Sequence, residues 1–367
     1  MSDARRFEPT YADVRAAAEA VLRRAETLAA SDEDGLRWPD DHWGSAFATA
    51  RLFARPSAAQ AERLAAFGME NLVARRALLA NEDALGRARC RLLAATVAAL
   101  HAQGRPGAAT ALVALVGEMS GDDGMTAFLP LLVSLEALMA CNLAASMGPA
   151  GQRQVRLYWK LALAEARAQS LAPALVLCAG TTGSGKSFVA RGIAGALGAR
   201  VFVADRERKR LLGLPPTERT PADRRDMAYS VAVSDRVYGL LLDRAHEELA
   251  AGRSAVLDAT FLTRARRKPA LELAQRLGVP ALVLWCTLDD SLARTRLEER
   301  ATQPWTISDG DAAVREAQAA GAELPASPEV GARVLSVDTA VPPAALFRTL
   351  LPRVLRELRA AHAGRQS

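Results

Sequence analysis

Eight consecutive residues constrain this chain more than any others: Gly180-Thr181-Thr182-Gly183-Ser184-Gly185-Lys186-Ser187 satisfies G-x-x-x-x-G-K-[ST] at every required position. An apolar run at 174–179 leads into the motif and a helical stretch at 188–197 follows it. That strand–loop–helix order is the context a phosphate-binding loop needs. Glycine lets the backbone turn tightly enough for successive N–H groups to face one phosphate chain. The helix behind it adds the positive end of its dipole. All eight residues, Gly180, Thr181, Thr182, Gly183, Ser184, Gly185, Lys186 and Ser187, are therefore candidate nucleotide contacts. Lys186 would reach the terminal phosphates and the Ser187 hydroxyl would ligate a magnesium ion, so ATP and Mg²⁺ are the expected ligands.

A phosphate loop needs a sheet to hold it, and the second half of the chain supplies the pattern of one. Short apolar runs at 174–179, 200–204, 254–257, 281–286 and 333–337 alternate with amphipathic helices, the last at 343–361. Five strands separated by helices predict an α/β fold: a parallel P-loop NTPase sheet of the nucleoside-kinase-like kind, covered on both faces. Ligands then bind at the carboxyl ends of the strands. Residues 1–165 read differently. Apolar spacing of three to four predicts helices at 11–30, 58–79, 83–102, 108–119 and 125–147, and another at 151–170. Turn signals separate them at Trp38-Pro39-Asp40-Asp41, Gly104-Arg105-Pro106-Gly107 and Ser120-Gly121-Asp122-Asp123-Gly124. The expected division is an all-helical domain at 1–165 and a P-loop kinase domain at 166–367, with the boundary near 148–172.

Composition narrows the function classes. A net charge of +6 comes from 47 basic and 41 acidic residues. Most arginines stand at helical spacing beside Glu or Asp, which describes a solvated surface better than a nucleic-acid footprint. Cys90, Cys141, Cys178 and Cys286 lie far apart without C-x-x-C spacing, which argues against zinc and against a disulfide framework. Cys178 and Cys286 sit within strand-like runs and are expected in the core. The N-terminal residues lack an apolar leader, so a cytoplasmic location is expected. The apolar stretch at 125–147 contains Pro130, Glu136 and Asn142, and reads as a buried helix rather than a membrane span.

The segments around the loop carry the candidate chemistry. The run at 201–204 ends in Asp205, a carboxylate placed to face a γ-phosphate and take the proton of an acceptor hydroxyl. Arg208, one turn on, would share its face and bind a substrate anion; Lys209 and Arg210 read as surface charge. Asp258 closes the next apolar run and is the expected outer partner of Mg²⁺, directly or through water. Arg296 and Arg300 lie one turn apart on a helix that precedes Gln303-Pro304-Trp305-Thr306, with a further helix expected at 309–319. They suit a lid that closes on ATP and neutralises developing charge.

Together these residues resemble the P-loop kinase family that includes zeta-toxin-like, polynucleotide-kinase-like and chloramphenicol-phosphotransferase-like enzymes, ATP-binding proteins of the AAA class. The resemblance spans about residues 172–365 and rests on GTTGSGKS, on Asp205-x-x-Arg208, on VLDATF at 256–261 and on the arginine-bearing lid helix. It implies that Asp205 is the base for the acceptor hydroxyl and that Arg208 binds the substrate. A weaker resemblance links Gly104-Arg105-Pro106, Ser120-Gly121-Asp122 and Phe128-Leu129-Pro130 to the helical part of aminoglycoside phosphotransferases. An H-G-D type catalytic loop should then stand upstream. Asp40-Asp41-His42-Trp43-Gly44 does not match it, so a degenerate helical module is expected in place of a second active site.

The leading expectation is an ATP-dependent kinase with an unidentified hydroxyl acceptor: a small metabolite, a nucleotide sugar, an antibiotic or a nucleic-acid end. The absence of an aromatic stacking platform weighs against single-stranded nucleic acid. The alternative is a nucleotide-dependent regulatory protein whose helical half binds a protein partner. The Asp205-x-x-Arg208 pair favours the kinase, because a switch needs no acceptor base.

Overall fold

Side chains alternate between the faces of a strand, and residues 175–179, the central strand of this protein, are apolar at every position. They therefore bury both faces, and the helices of the second half sit on either side. In the computed structural model the described residues are 9–31, 42–80, 83–169 and 173–366. In chain order the first half holds α1 (Tyr11–Ser31), α2 (His42–Ala54), α3 (Ala58–Ala80), α4 (Ala84–Ala102), α5 (Pro106–Ser120), α6 (Leu129–Ser146) and α7 (Gln152–Gln169). The second half runs β1 (Leu175–Ala179), α8 (Lys186–Leu197), β2 (Arg200–Val203), α9 (Ala204–Leu211), α10 (Arg225–Ala228), α11 (Val231–Ala250) and β3 (Ala255–Asp258). It continues with α12 (Arg264–Arg276), β4 (Ala281–Thr287), α13 (Asp290–Ala301), α14 (Ala312–Ala320), β5 (Arg333–Asp338) and α15 (Pro343–Gln366).

The five strands form one parallel sheet in the order β2-β3-β1-β4-β5, with the phosphate-loop strand β1 at its centre. Leu175, Leu177 and Ala179 of β1 pack with Leu257, Val283 and Trp285 against α11 and α12. Val176 and Cys178 pack with Val256, Leu282 and Leu284 against α8 and α15. The predicted runs and the observed strands differ by a residue or two at their ends. Cys178 and Cys286 are buried in the sheet, as expected, and Cys90 and Cys141 are buried as well.

The helical half is laid over the α8/α15 layer. Its pivot is α5, whose residues 107–117 are all buried. A helix apolar on every side must be surrounded. Here α1 and α4 cover one side, and α8 and α15 the other. Phe347 of α15 joins the core of the helical half, and Phe188 of α8 packs against it. Pro106 opens α5 instead of preceding it, because a proline costs nothing at the first helical position. The stretch read as one helix at 125–147 is a short 3₁₀ turn (Met125–Ala127) followed by α6, with Pro130 in the first turn. By length and composition α6 could cross a membrane, but 67% of it is buried within the protein. The predicted helices omit α2, which buries Trp43, Ala46 and Ala50 on one face. The turn read at 38–41 and residues 170–172 lie outside the described residues.

Candidate active site

The loop between β1 and α8 is shaped by its neighbours as well as by its own glycines. Gly185 caps α8 at φ 78°, a left-handed conformation open to glycine at little cost, and a Cβ there would come within 3.2 Å of Thr339. The Thr339 hydroxyl in turn lies 2.8 Å from the Ser184 carbonyl. Gly180 N donates to Thr260 O (2.9 Å), fastening the loop to the segment after β3. On the other side Thr182 N donates to Gln318 Oε1 (2.7 Å). Arg315 Nη1 donates to Thr181 Oγ1 (2.7 Å) and Thr182 O (3.0 Å), while its Nη2 pairs with Asp290 (2.8 Å). Gln318 and Arg315 were not among the sequence candidates. They stand in an ordinary amphipathic helix more than a hundred residues from the loop they hold, and only the fold brings them there.

The structure brings Lys186, Ser187 and Asp258 together. Lys186 Nζ reaches back to Thr181 O (3.4 Å). Asp258 ends β3 at 2% exposure, and both its carboxylate oxygens lack a hydrogen-bond partner. Burial pushes its pKa up; Lys186, Arg191 and the nearby Ser187 hydroxyl oppose that, and Asp205 adds to it. An orphaned buried carboxylate beside a hydroxyl and a lysine is the donor set that a hard divalent cation completes. Ser187 and Asp258 are thus the residues that would hold Mg²⁺. Among the described residues no group of three His, Cys, Asp or Glu could hold a metal without further ligands.

Asp205 lies in the first turn of α9. The cap position belongs to Val203, whose side chain makes no cap bond, so Asp205 is not spent as a helix cap. Its charge acts on Asp258, Arg300 and Tyr229, which puts it among the candidate metal residue, the lid and the 212–230 segment.

Arg208 departs from the expectation. It is buried, donates from Nη1 to Ala228 O (2.7 Å) and Ser234 Oγ (3.4 Å), and lies 4.5 Å from the centre of the Tyr229 ring. The segment after α9 folds back over the guanidinium and uses it as a structural tie, so it does not stand open beside Asp205. Lys209, read as surface charge, is 2% exposed and paired with Asp309 (3.2 Å). Asp309 also accepts from Thr220 N (3.2 Å) and the Thr220 hydroxyl (2.5 Å). It therefore belongs to a loop and not to the helix predicted at 309–319; α14 starts at Ala312. Arg210 remains exposed.

Arg296 and Arg300 of α13 line a cavity of 480 Å³ that also takes in Lys186 and Ser187. Arg296 donates to Thr339 O (2.7 Å) and Arg300 to Gly310 O (2.5 Å). Burial works against the charge of both guanidiniums, and for Arg300 the carboxylates of Asp205 and Glu118 pull the other way. Glu118 comes from α5, in the helical half, and Tyr11 from α1 lines the same cavity. Trp305, downstream of the lid arginines, lies under Arg15 of α1, with the guanidinium 5.1 Å from the ring centre. One further contribution of the helical half was invisible in the sequence. Asp123, in the turn after α5, pairs with Arg191 of α8 (3.0 Å) and Arg206 of α9 (3.0 Å).

Residues 175–325 match a family model described as an AAA domain. The matched stretch takes in the phosphate loop, Asp205, Asp258 and the lid arginines. No curated protein sequence matches the chain. Among solved structures, a gluconokinase from Sinorhizobium meliloti 1021 is 24% identical at a TM-score of 0.35, with 52% of this chain and 97% of that one covered. A sugar kinase from Janibacter sp. HTCC2649 is 21% identical at a TM-score of 0.35, covering 52% of this chain and 96% of its own.

Proposed function

We propose that this chain is an ATP-dependent phosphotransferase that moves the γ-phosphoryl group of ATP to a hydroxyl of a small acceptor. The observation that carries this reading is the convergence on one loop of two sets of groups. Lys186 and Ser187 of α8 line one cavity with Arg296 and Arg300 of the lid, the orphaned Asp258 lies beside Lys186 and Ser187, and the charge of Asp205 acts on both Asp258 and Arg300. A protein that only bound nucleotide would need the first set but no carboxylate on the acceptor side.

In this reading the amides at the start of α8, which have no acceptor within their own helix, hold the phosphates, and Lys186 spans the outer ones. Bound Mg²⁺ would neutralise phosphate charge next to Ser187 and Asp258. Asp205 accepts the proton of the acceptor hydroxyl as its oxygen bonds to the γ-phosphorus. The bond from that phosphorus to the bridging oxygen breaks, and its electron pair leaves with ADP. Arg300 meets the charge that develops on the transferring group. Phosphate contacts on the lid side come from Arg296 and Arg300, since Arg208 is committed to Ala228.

The test compares ATP hydrolysis with phosphate transfer across a panel of hydroxyl compounds. Lys186→Ala should abolish both. Asp205→Ala should lower transfer about 10²–10⁴-fold, the usual contribution of a positioned base, and leave MgATP affinity near the wild-type value. Transfer at the wild-type rate in Asp205→Ala would remove Asp205 as the base.

A further inference from the structure

The cavity over the phosphate loop is not built by the AAA domain alone. Its lining joins Lys186 and Ser187 to apolar side chains from other elements: Leu292 of α13, Val341 ahead of α15 and Pro343 at its start. Tyr11 and Ala12, the first turn of α1, line it as well. These residues are held in place. Thr10 and Asp13 form a reciprocal cap, with Thr10 N donating to Asp13 Oδ2 (2.8 Å) and Asp13 N to Thr10 Oγ1 (3.3 Å). Val14, Ala18, Val21 and Ala25 bury one face of α1 in the helical half. Tyr11 continues that face by one turn, past the edge of the core and into the cavity mouth, where it keeps 40% exposure. One turn further along, Arg15 lies over Trp305, so the start of α1 also touches the segment after the lid helix.

We propose that Tyr11 contacts the nucleoside of bound ATP, making the helical half a wall of the nucleotide site. This rests on the ATP reading above and adds to it a residue outside the AAA domain. The chemistry fits. With the phosphates on the loop, the nucleoside lies along the rest of the same cavity, where the Tyr11 ring offers a flat face to the base or sugar. The hydroxyl of Tyr11 is ringed by Glu118, Arg15, Glu299 and Arg296, and its pKa is pushed up to about 12, first by burial and then by Glu118. The ring is therefore neutral at any physiological pH and adds no charge near the phosphates.

Tripolyphosphate carries the phosphate chain of ATP without its nucleoside, and the comparison of the two locates the contact. Binding of MgATP and of Mg-tripolyphosphate would be measured by calorimetry on the full chain for wild type, Tyr11→Ala, Tyr11→Phe and Lys186→Ala. The expected result is that Tyr11→Ala weakens MgATP roughly tenfold and leaves tripolyphosphate within about twofold. Tyr11→Phe should keep the wild-type MgATP affinity, because the ring and not the hydroxyl makes the contact. Lys186→Ala should weaken both ligands. Equal losses for the two ligands in Tyr11→Ala, or no loss for either while Lys186→Ala loses both, would overturn the wall and leave the ATP reading standing. A wild-type protein that binds neither ligand would overturn both.

Discussion

Asp258 shows how a single side chain trades stability for chemistry. Its carboxylate is buried, partnerless and raised in pKa by the loss of water, with Lys186 and Arg191 offsetting only part of that cost. In the proposed function a bound cation completes this group beside the Ser187 hydroxyl. Asp258→Asn removes the buried charge and keeps the shape. The nucleotide-free protein should then gain stability, by about 1 kcal/mol, since an uncompensated buried charge costs more than a buried amide. Phosphate transfer should fall by orders of magnitude in the same variant. Urea unfolding without nucleotide, alongside a transfer assay, checks both. A variant less stable than wild type would mean that Lys186 and Arg191 already pair with Asp258 well enough for it to be a structural residue.

At the scale of elements, α8 and α9 hold the two sides of the candidate site, and a carboxylate from outside the sheet ties them. Asp123 pairs with Arg191, which is 2% exposed, and with Arg206, which is 28% exposed and directly follows Asp205. The same turn is docked through the Thr126 hydroxyl on Ala199 O (2.7 Å). Asp123→Ala strands the Arg191 guanidinium in the interior and should cost ~3–5 kcal/mol, the usual result of removing one partner of a buried pair. Arg206→Ala, at a wetter position, should cost ~1 kcal/mol or less. Chemical denaturation of the two variants measures the difference, and equal losses would show that both pairs are surface-like. This tie also marks the limit of what the sequence could reveal. The strands were legible because each is a short apolar run between turns, and Gly180 through Ser187 and Asp258 because local pattern specifies them. The burial of Arg208 was not legible, because helical spacing gives the face of a residue but not what folds over it. Lys209 and Asp309 are a hundred positions apart, so neither showed a partner. α2 was overlooked because its buried face is mostly alanine, which gives little contrast in a chain where alanine is everywhere.

For the molecule as a whole, the question is whether the helical half is an attachment or part of the body of the α/β half. An attached module would meet the α/β half through a polar, replaceable surface. Here the contact is core. α5 is buried on all sides between α1 and α4 of its own half and α8 and α15 of the other. The approach of α5 to α15 is backbone on backbone, since a Cβ on Gly107 would come within 2.0 Å of Ala344 O. Residues 166–367 produced alone should therefore expose the apolar outer faces of α8 and α15, including Phe188 and Phe347, which pack into the helical core. They would also lose the Asp123 tie that holds Arg191 and Arg206. The expected outcome is a fragment that aggregates, or melts well below the full chain, and binds MgATP weakly. An exposed apolar face of this kind is an association surface, not a neutral one. Size-exclusion chromatography, thermal melts and calorimetry on the fragment check each part. A monomeric fragment with full-length MgATP affinity would make the helical half a dispensable module, and would favour the alternative in which it serves a protein partner. Failure of the fragment, with Tyr11 needed for the nucleoside in the intact chain, would make residues 1–165 part of the nucleotide site itself.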